Sequence, residues 1–359
     1  MAVPPPPPPP REQAVKISDV INLYRPTKLF RPPKAETSIT SLDFDDQGEL
    51  LLAACDDESL QIYSCREGKQ TKTLFSKKYG AHLARFTHNS QSVIYASTKV
   101  DDTIRYLSTH DNQFLRYFPG HTRTVTSLSV SPGADTFLSC SLDNTAILWS
   151  LNTPSPTGKL RLHTPYLSAF DPSASVIAIA SATTSSILLY DLRNYDKAPF
   201  ATFDLMKIEN AFTPNLTGKG YAWTTLEFSN DGKSLLVGTA TSGHYLLDAF
   251  DGQIKAFCQR PKGSTGRILA PGIEGDVGRG PRILGQGDVC FTPDGRYLIG
   301  GSGSNNAYVW DCQAEPGPDK VLQPLHELES KSRAAVIAFN PRLNMFAAAD
   351  KEVIFWLPE

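Results

Sequence analysis

The stretch GHTRTVTSLSVSPGADTFLSCSLDNTAILWS, Gly120 to Ser150, decides how the rest of the chain is read. It opens on Gly120-His121, alternates through Leu128 and Val130, and turns at Ser131-Pro132. It then runs apolar from Thr136 to Ser139, turns again at Asp143 and ends on Trp149. The same grammar recurs seven times. A first strand ends on the pairs Leu42/Phe44, Ala84/Phe86, Leu128/Val130, Ser168/Phe170, Leu226/Phe228, Val289/Phe291 and Ile337/Phe339. About nineteen residues later a further strand ends on Tyr63, Leu107, Trp149, Tyr190, Leu247, Trp310 or Trp356. Between them lie turns whose proline and glycine supply the required dihedrals, as at Asp171-Pro172, Asn230-Asp231-Gly232, Pro293-Asp294-Gly295 and Asn340-Pro341.

Self-similarity at roughly 40 residues, with two strands and a turn in each half, is the signature of WD40 blades, so the expected fold is an all-β, seven-bladed WD40 β-propeller. The second strand of each repeat is the more continuously apolar, which places it beside the propeller axis, covered on both sides. In WD40 proteins a His, Ser or Thr, Asp and Trp form a hydrogen-bonded chain from strand to turn. Here His121, Ser139, Asp143 and Trp149 supply the whole set once. Six residues before the terminal aromatic or leucine, Asp recurs at Asp57, Asp101, Asp143 and Asp350, with Thr184, Thr241 and Ser304 in the other repeats. These are framework residues, because buried polar groups need partners, and His121 is no catalytic base.

The seventh repeat ends at Phe355-Trp356-Leu357-Pro358, before an outer strand, and an open edge is a pairing hazard. The spare strand Tyr24 to Arg31 precedes the first repeat and is expected to complete the last blade and latch the ring. Residues 1–15, with prolines from Pro4 to Pro10, read as a disordered polyproline tail, and residues 16–359 as the propeller. Terminal positions are 41 to 46 residues apart except around Leu247, where extra residues fall at 206–220 and 260–287. The second insertion carries eight glycines and three prolines, so both are expected as mobile surface loops on the face that leads into each first strand.

Composition narrows function. A formal charge of -2 and a pI near 6.4 give no global basic footprint, which argues against direct sequence-specific nucleic-acid binding. Six scattered cysteines without a C-x-x-C read as reduced thiols, the start has no signal-peptide pattern, and no apolar run is long enough to span a membrane. Asn215-Leu216-Thr217 matches a glycosylation acceptor only by pattern, since the thiols point away from a secretory setting. No nucleophile elbow, P-loop or metal-ligand spacing occurs, and Gly300-Gly301-Ser302-Gly303 opens no helix. No catalytic, cofactor or metal residue is nominated.

Charge distribution says more. The face built from the first-strand connections and second turns carries Lys77, Lys78, Lys99, Arg123, Arg279, Arg282 and Arg333, with Tyr79, Tyr166 and Trp223 expected among them. Such a set suits an acidic or phosphorylated peptide, which Lys and Arg pair with and aromatics flank.

Several runs resemble one WD40 family more closely than they resemble the general repeat. They are Ser76-Lys77-Lys78-Tyr79-Gly80, Asp101-Asp102-Thr103-Ile104-Arg105-Tyr106-Leu107-Ser108, Arg116-Tyr117-Phe118-Pro119-Gly120-His121, Tyr190-Asp191-Leu192-Arg193 with Pro199-Phe200-Ala201-Thr202-Phe203, Phe228-Ser229-Asn230-Asp231-Gly232-Lys233, Asp248-Ala249-Phe250 and Phe355-Trp356-Leu357-Pro358. That family is the WD40 subunit shared by COMPASS, the histone H3 lysine methyltransferase complex, and the cleavage and polyadenylation machinery. The resemblance implies a nuclear, non-catalytic scaffold that holds the methyltransferase catalytic subunit and other COMPASS subunits. It further implies contact with RNA polymerase II carrying phosphorylated C-terminal repeats, with cleavage and polyadenylation or phosphatase assemblies, and a role in transcription termination. The polyproline start and the two long loops depart from the family's pattern. Tyr190-Asp191-Leu192-Arg193 also resembles the W-D-x-R signature of WD40 substrate receptors of cullin ubiquitin ligases, the alternative reading.

Overall fold

The computed structural model describes residues 15–32, 37–181, 183–213, 223–261, 287–302 and 304–359. Apolar and β-branched residues alternate in the first strands and are continuous in the second, and within most blades each strand pairs with its successor. Seven sheets result among the described residues, running in chain order from inner to outer strand except where the N-terminal strand closes the seventh and a parallel strand is added to the fifth. Blade three runs Val125–Val130, Thr136–Ser141, Thr145–Ser150 and Pro156–Arg161, with Leu128 opposite Ser139 and Phe137 opposite Trp149. Side-chain caps hold the turns, as where Asp171 Oδ1 accepts the amides of Ser175 and Val176 at 2.8 and 2.7 Å.

The first strands, not the apolar second strands, surround the axis. They line a channel of about 880 Å³ with residues such as Asp43, Arg85, Ser129 and Glu227. The second strands are continuously apolar because they sit between neighbouring blades, where their side chains meet the next sheet. One cluster joins Ala178 and Leu189 of blade four to Leu235, Leu247 and Trp223 of blade five.

The ring closes through the N-terminal segment. Tyr24–Phe30 pairs antiparallel with Val353–Pro358, from Tyr24 opposite Pro358 to Phe30 opposite Val353. Tyr24 is fully buried, its ring 5.3 Å from that of Phe346, and Phe30 packs 5.1 Å from Phe355 and 4.8 Å from Tyr63 of blade one. A short helix, Ile17–Val20, precedes the latch and adds Val20 to the core of blades six and seven.

Two features depart from the expected loops. Met206–Phe212 is an α-helix, and the buried Glu209 on it accepts the Trp223 indole N–H at 2.9 Å. In blade six, the connection after Ala307–Asp311 reaches sideways, so that Val321–Leu322 pairs in parallel with Ile254–Gln259 at the edge of blade five. Residues 1–14 of the proline-rich tail, 214–222 and 262–286 lie outside the described residues.

Candidate partner-binding face

In blade three the four framework residues form one directed chain. Trp149 Nε1–H donates to Ser139 Oγ at 2.9 Å, and Ser139 Oγ lies 2.7 Å from His121 Nε2. His121 Nδ1 lies 3.1 Å from Asp143 Oδ2, which also accepts the Thr122 amide at 3.0 Å. Burial holds His121 below the usual imidazole range, so the ring is neutral and passes one proton direction along the chain. Burial also pushes Asp143 upward. Hydrogen bonds from Thr145 and the Thr122 amide, with His121 behind them, outweigh that and keep it below the ordinary carboxylate range.

Blade two solves the same problem differently. Arg105, only 3% exposed, donates through Nε to Ser97 Oγ at 2.8 Å and through Nη2 to both oxygens of Asp101 at 3.0 and 2.9 Å. Its guanidinium carbon is 3.5 Å from the Tyr79 ring centre, 5.2 Å from that of Tyr117 and 5.7 Å from that of Phe114. Tyr79 is therefore half-buried structure as well as surface.

Among the described residues, Lys77, Lys78, Lys99, Arg123 and Arg333 stand at the connections into first strands and at the second turns. Lys77, Lys78 and Arg123 are exposed and have no ion pair among the described residues. Lys78 Nζ sits 5.0 Å over the Tyr79 ring, Lys77 Nζ lies 5.3 Å over Phe75, and Arg123 donates to the Leu142 carbonyl at 3.1 Å. Lys99 is held by Glu58, and Arg333 Nη1 stands 4.0 Å from Asp350 Oδ2. Arg279 and Arg282 lie outside the described residues. Tyr166 and Trp223 are a correction, because they are 5% and 0% exposed and belong to the core between blades four and five. Trp223 is the first residue of a first strand and Tyr166 the second of another, where the ring turns inward between sheets, and Trp223 is bonded to the helix Met206–Phe212. The aromatics that do reach the surface here are Phe75, the last residue of blade one's outer strand, and Tyr117, the last but one of blade two's. For Phe75 the sequence signal was an aromatic at the end of a fourth strand beside the Lys77-Lys78 run.

Elsewhere, Asp191 caps the turn Leu192–Asn194 by accepting the Arg193 amide at 2.9 Å and Asn194 Nδ2 at 3.0 Å. Arg193 itself is exposed. The six cysteines are free, and among the described residues no cluster of His, Cys, Asp and Glu could hold a metal ion. No described helix is long and apolar enough to cross a membrane.

This ring of four-stranded blades, with a polar chain from His121 to Asp143 and a latched seventh sheet, is a WD40 propeller. The family model "WD domain, G-beta repeat" matches residues 26–64, 112–150 and 286–311. The chain is 37% identical over 353 residues to WD repeat-containing protein 82 of Drosophila melanogaster, covering 95% of this chain and 96% of that one. It is 34% identical to Set1 complex component swd2 of Schizosaccharomyces pombe, over 94% of this chain and 98% of the relative. It is also 34% identical to COMPASS component SWD2 of Saccharomyces cerevisiae, over 93% and 95%. The chain belongs to the WD40 family that contains WD repeat-containing protein 82 and the SWD2 proteins.

Proposed function

We propose that the chain is a non-catalytic scaffold subunit of a COMPASS-type histone H3 lysine methyltransferase complex, working in the nucleus. The observation that carries this reading is similarity spread across all seven blades to two relatives whose names place them in the Set1 complex and COMPASS. A rigid closed ring with long inter-blade connections offers several partners separate surfaces on one body. On this reading the chain holds the catalytic subunit and other subunits of the complex. It also joins cleavage and polyadenylation or phosphatase assemblies where transcripts are terminated.

The face of Lys77, Lys78, Lys99, Arg123 and Arg333 is assigned to a phosphorylated or acidic segment, with phosphorylated RNA polymerase II C-terminal repeats as the leading occupant. Its support is three exposed cations, Lys77, Lys78 and Arg123, without ion pairs among the described residues, a charge that suits phosphate, two of them resting on aromatic rings. The test has two arms. Affinity purification from nuclear extract is expected to recover the methyltransferase subunit, and its absence with a cullin adaptor present would replace this reading by the ubiquitin-ligase one. Calorimetry with phosphorylated and unphosphorylated polymerase-tail peptides is expected to favour the phosphorylated form, with that preference abolished by Lys78→Glu/Arg123→Glu and weakened by salt. Equal affinity for both peptides would remove this face from the mechanism.

A further inference from the structure

The second turn of blade two is longer than its counterparts. Val93 and Leu107, which pair across it, are 14 residues apart, whereas Leu51/Tyr63, Phe137/Trp149, Leu235/Leu247 and Leu298/Trp310 are 12 apart. Ile177/Tyr190 are 13 apart and Phe346/Trp356 are 10 apart. The added residues carry Lys99 and Val100 outward. Val100 is 78% exposed and has a φ of 69°. A β-branched side chain in the left-handed region is a strained choice, because Cβ crowds the backbone, and glycine or asparagine would be at ease there. Strain held on a surface turn is a reason to ask what the side chain does there.

The surroundings answer in kind. The amides of Thr98 and Lys99 both donate to the Tyr79 carbonyl, at 2.9 and 2.8 Å, so the turn is bolted to the residue stacked on Arg105. Gly80, at φ 70°, lets the two segments close together, since a Cβ there would stand 1.8 Å from Thr98 Oγ1. Phe75 is 51% exposed beneath Lys77, and Tyr117 is 45% exposed beside Arg105. Exposed apolar groups thus flank Lys77, Lys78 and Lys99; of the described acids nearby, Glu58 and Asp101 are engaged with Lys99 and Arg105, and the half-buried Asp102 feels the charge of Arg123.

We propose that Phe75, Val100 and Tyr117 are the apolar half of the docking face and determine its specificity. They take a non-polar side chain lying one or two residues from an acidic or phosphorylated residue of an extended partner segment. This rests on the phosphate reading of the cations, and deepens it. The charges select the anion, while the turn selects its neighbour by burying that side chain against Val100.

The test uses a library of peptides with a fixed phosphoserine and randomised flanks, each paired with its unphosphorylated twin, presented to the full chain. The wild type is expected to enrich non-polar residues at one or two positions from the phosphoserine. Val100→Gly should melt at or above the wild-type temperature, because it relieves the turn. It should nonetheless bind the enriched peptides about tenfold more weakly, as the loss of one buried side chain implies, and show no neighbour preference. Phe75→Ala serves as a second variant with the same expected loss. No enrichment by the wild type, no binding of any library member, or wild-type preference in Val100→Gly would overturn the proposal. Enrichment of non-polar neighbours without any effect of the phosphate would sink the phosphate reading alone and leave the apolar site standing.

Discussion

The guanidinium carbon of Arg105 sits 3.5 Å from the centre of the Tyr79 ring while Nη2 grips both oxygens of Asp101. A planar fork can stack on the ring and bind the carboxylate in the same pose, and an ammonium cannot. Arg105→Lys is therefore expected to destabilise the propeller by about 2 kcal/mol, a value set below that of a fully buried pair because Asp101 is 40% exposed. Urea unfolding would measure it. A variant as stable as the wild type would show that stacking and the ion pair add nothing to the fold of blade two.

The latch gives a second expectation. Tyr24 is fully buried between Phe346 and Phe339, and the strand it begins supplies the outer edge of blade seven. Removing residues 1–31 should lower the melting temperature of the whole ring, and removing 1–12 should leave it nearly unchanged. Tyr24→Ala should cost about 3 kcal/mol, as for other large aromatic deletions in cores. Equal melting of all these proteins would mean the ring closes without its N-terminal strand.

The ring, the blade count and this closure were legible because each rests on local pattern. Alternation, turn residues and a missing outer strand can all be counted along the chain. What could not be read was which way a side chain turns at the start of a strand. Tyr166 and Trp223 looked like surface aromatics because they adjoin connections, yet the pleat points both between sheets. The pairing of Val321–Leu322 with blade five was also hidden, because a two-residue parallel bridge carries no periodicity. The role of Arg105 was out of reach for a related reason. Its partners Tyr79, Ser97 and Asp101 come from two different connections, and only the folded ring brings them together.

In blade three, Asp143 ends the chain that starts at the Trp149 indole. Asp143→Ala strips acceptors from the Thr122 and Thr145 amides and from His121, and should cost on the order of 1 to 3 kcal/mol. Thermal melts would read the loss, and binding assays below the melting temperature should show every partner retained. A fully stable variant that loses one partner would convert this chain from framework to site.

His88 Nδ1 lies 2.7 Å from Asp46 Oδ2 of blade one, and Nε2 lies 2.9 Å from the Ser131 carbonyl at the end of blade three's first strand. Both ring nitrogens face acceptors, so the imidazolium alone satisfies both, and the hydrogen bond to Asp46 raises the His88 pKa above its ordinary value despite burial. A raised histidine contributes stability that is complete below its unfolded pKa of about 6.5 and is lost as pH climbs through the folded value. The carboxyl of Glu227 on the channel wall moves stability with pH as well, since burial pushes its pKa up to about 7. Burial likewise lifts Asp43 on the same wall to about 6, so the wild-type profile alone would mix His88 with these carboxyls, and a difference profile separates it from them. His88→Gln should therefore melt below the wild type at pH 6, by an amount worth up to about 1 kcal/mol for an exposed pair, with the gap closing as pH rises toward 9. A gap that stays constant from pH 6 to pH 9 would show that the three-blade clasp of Asp46, His88 and Ser131 does not depend on the imidazolium.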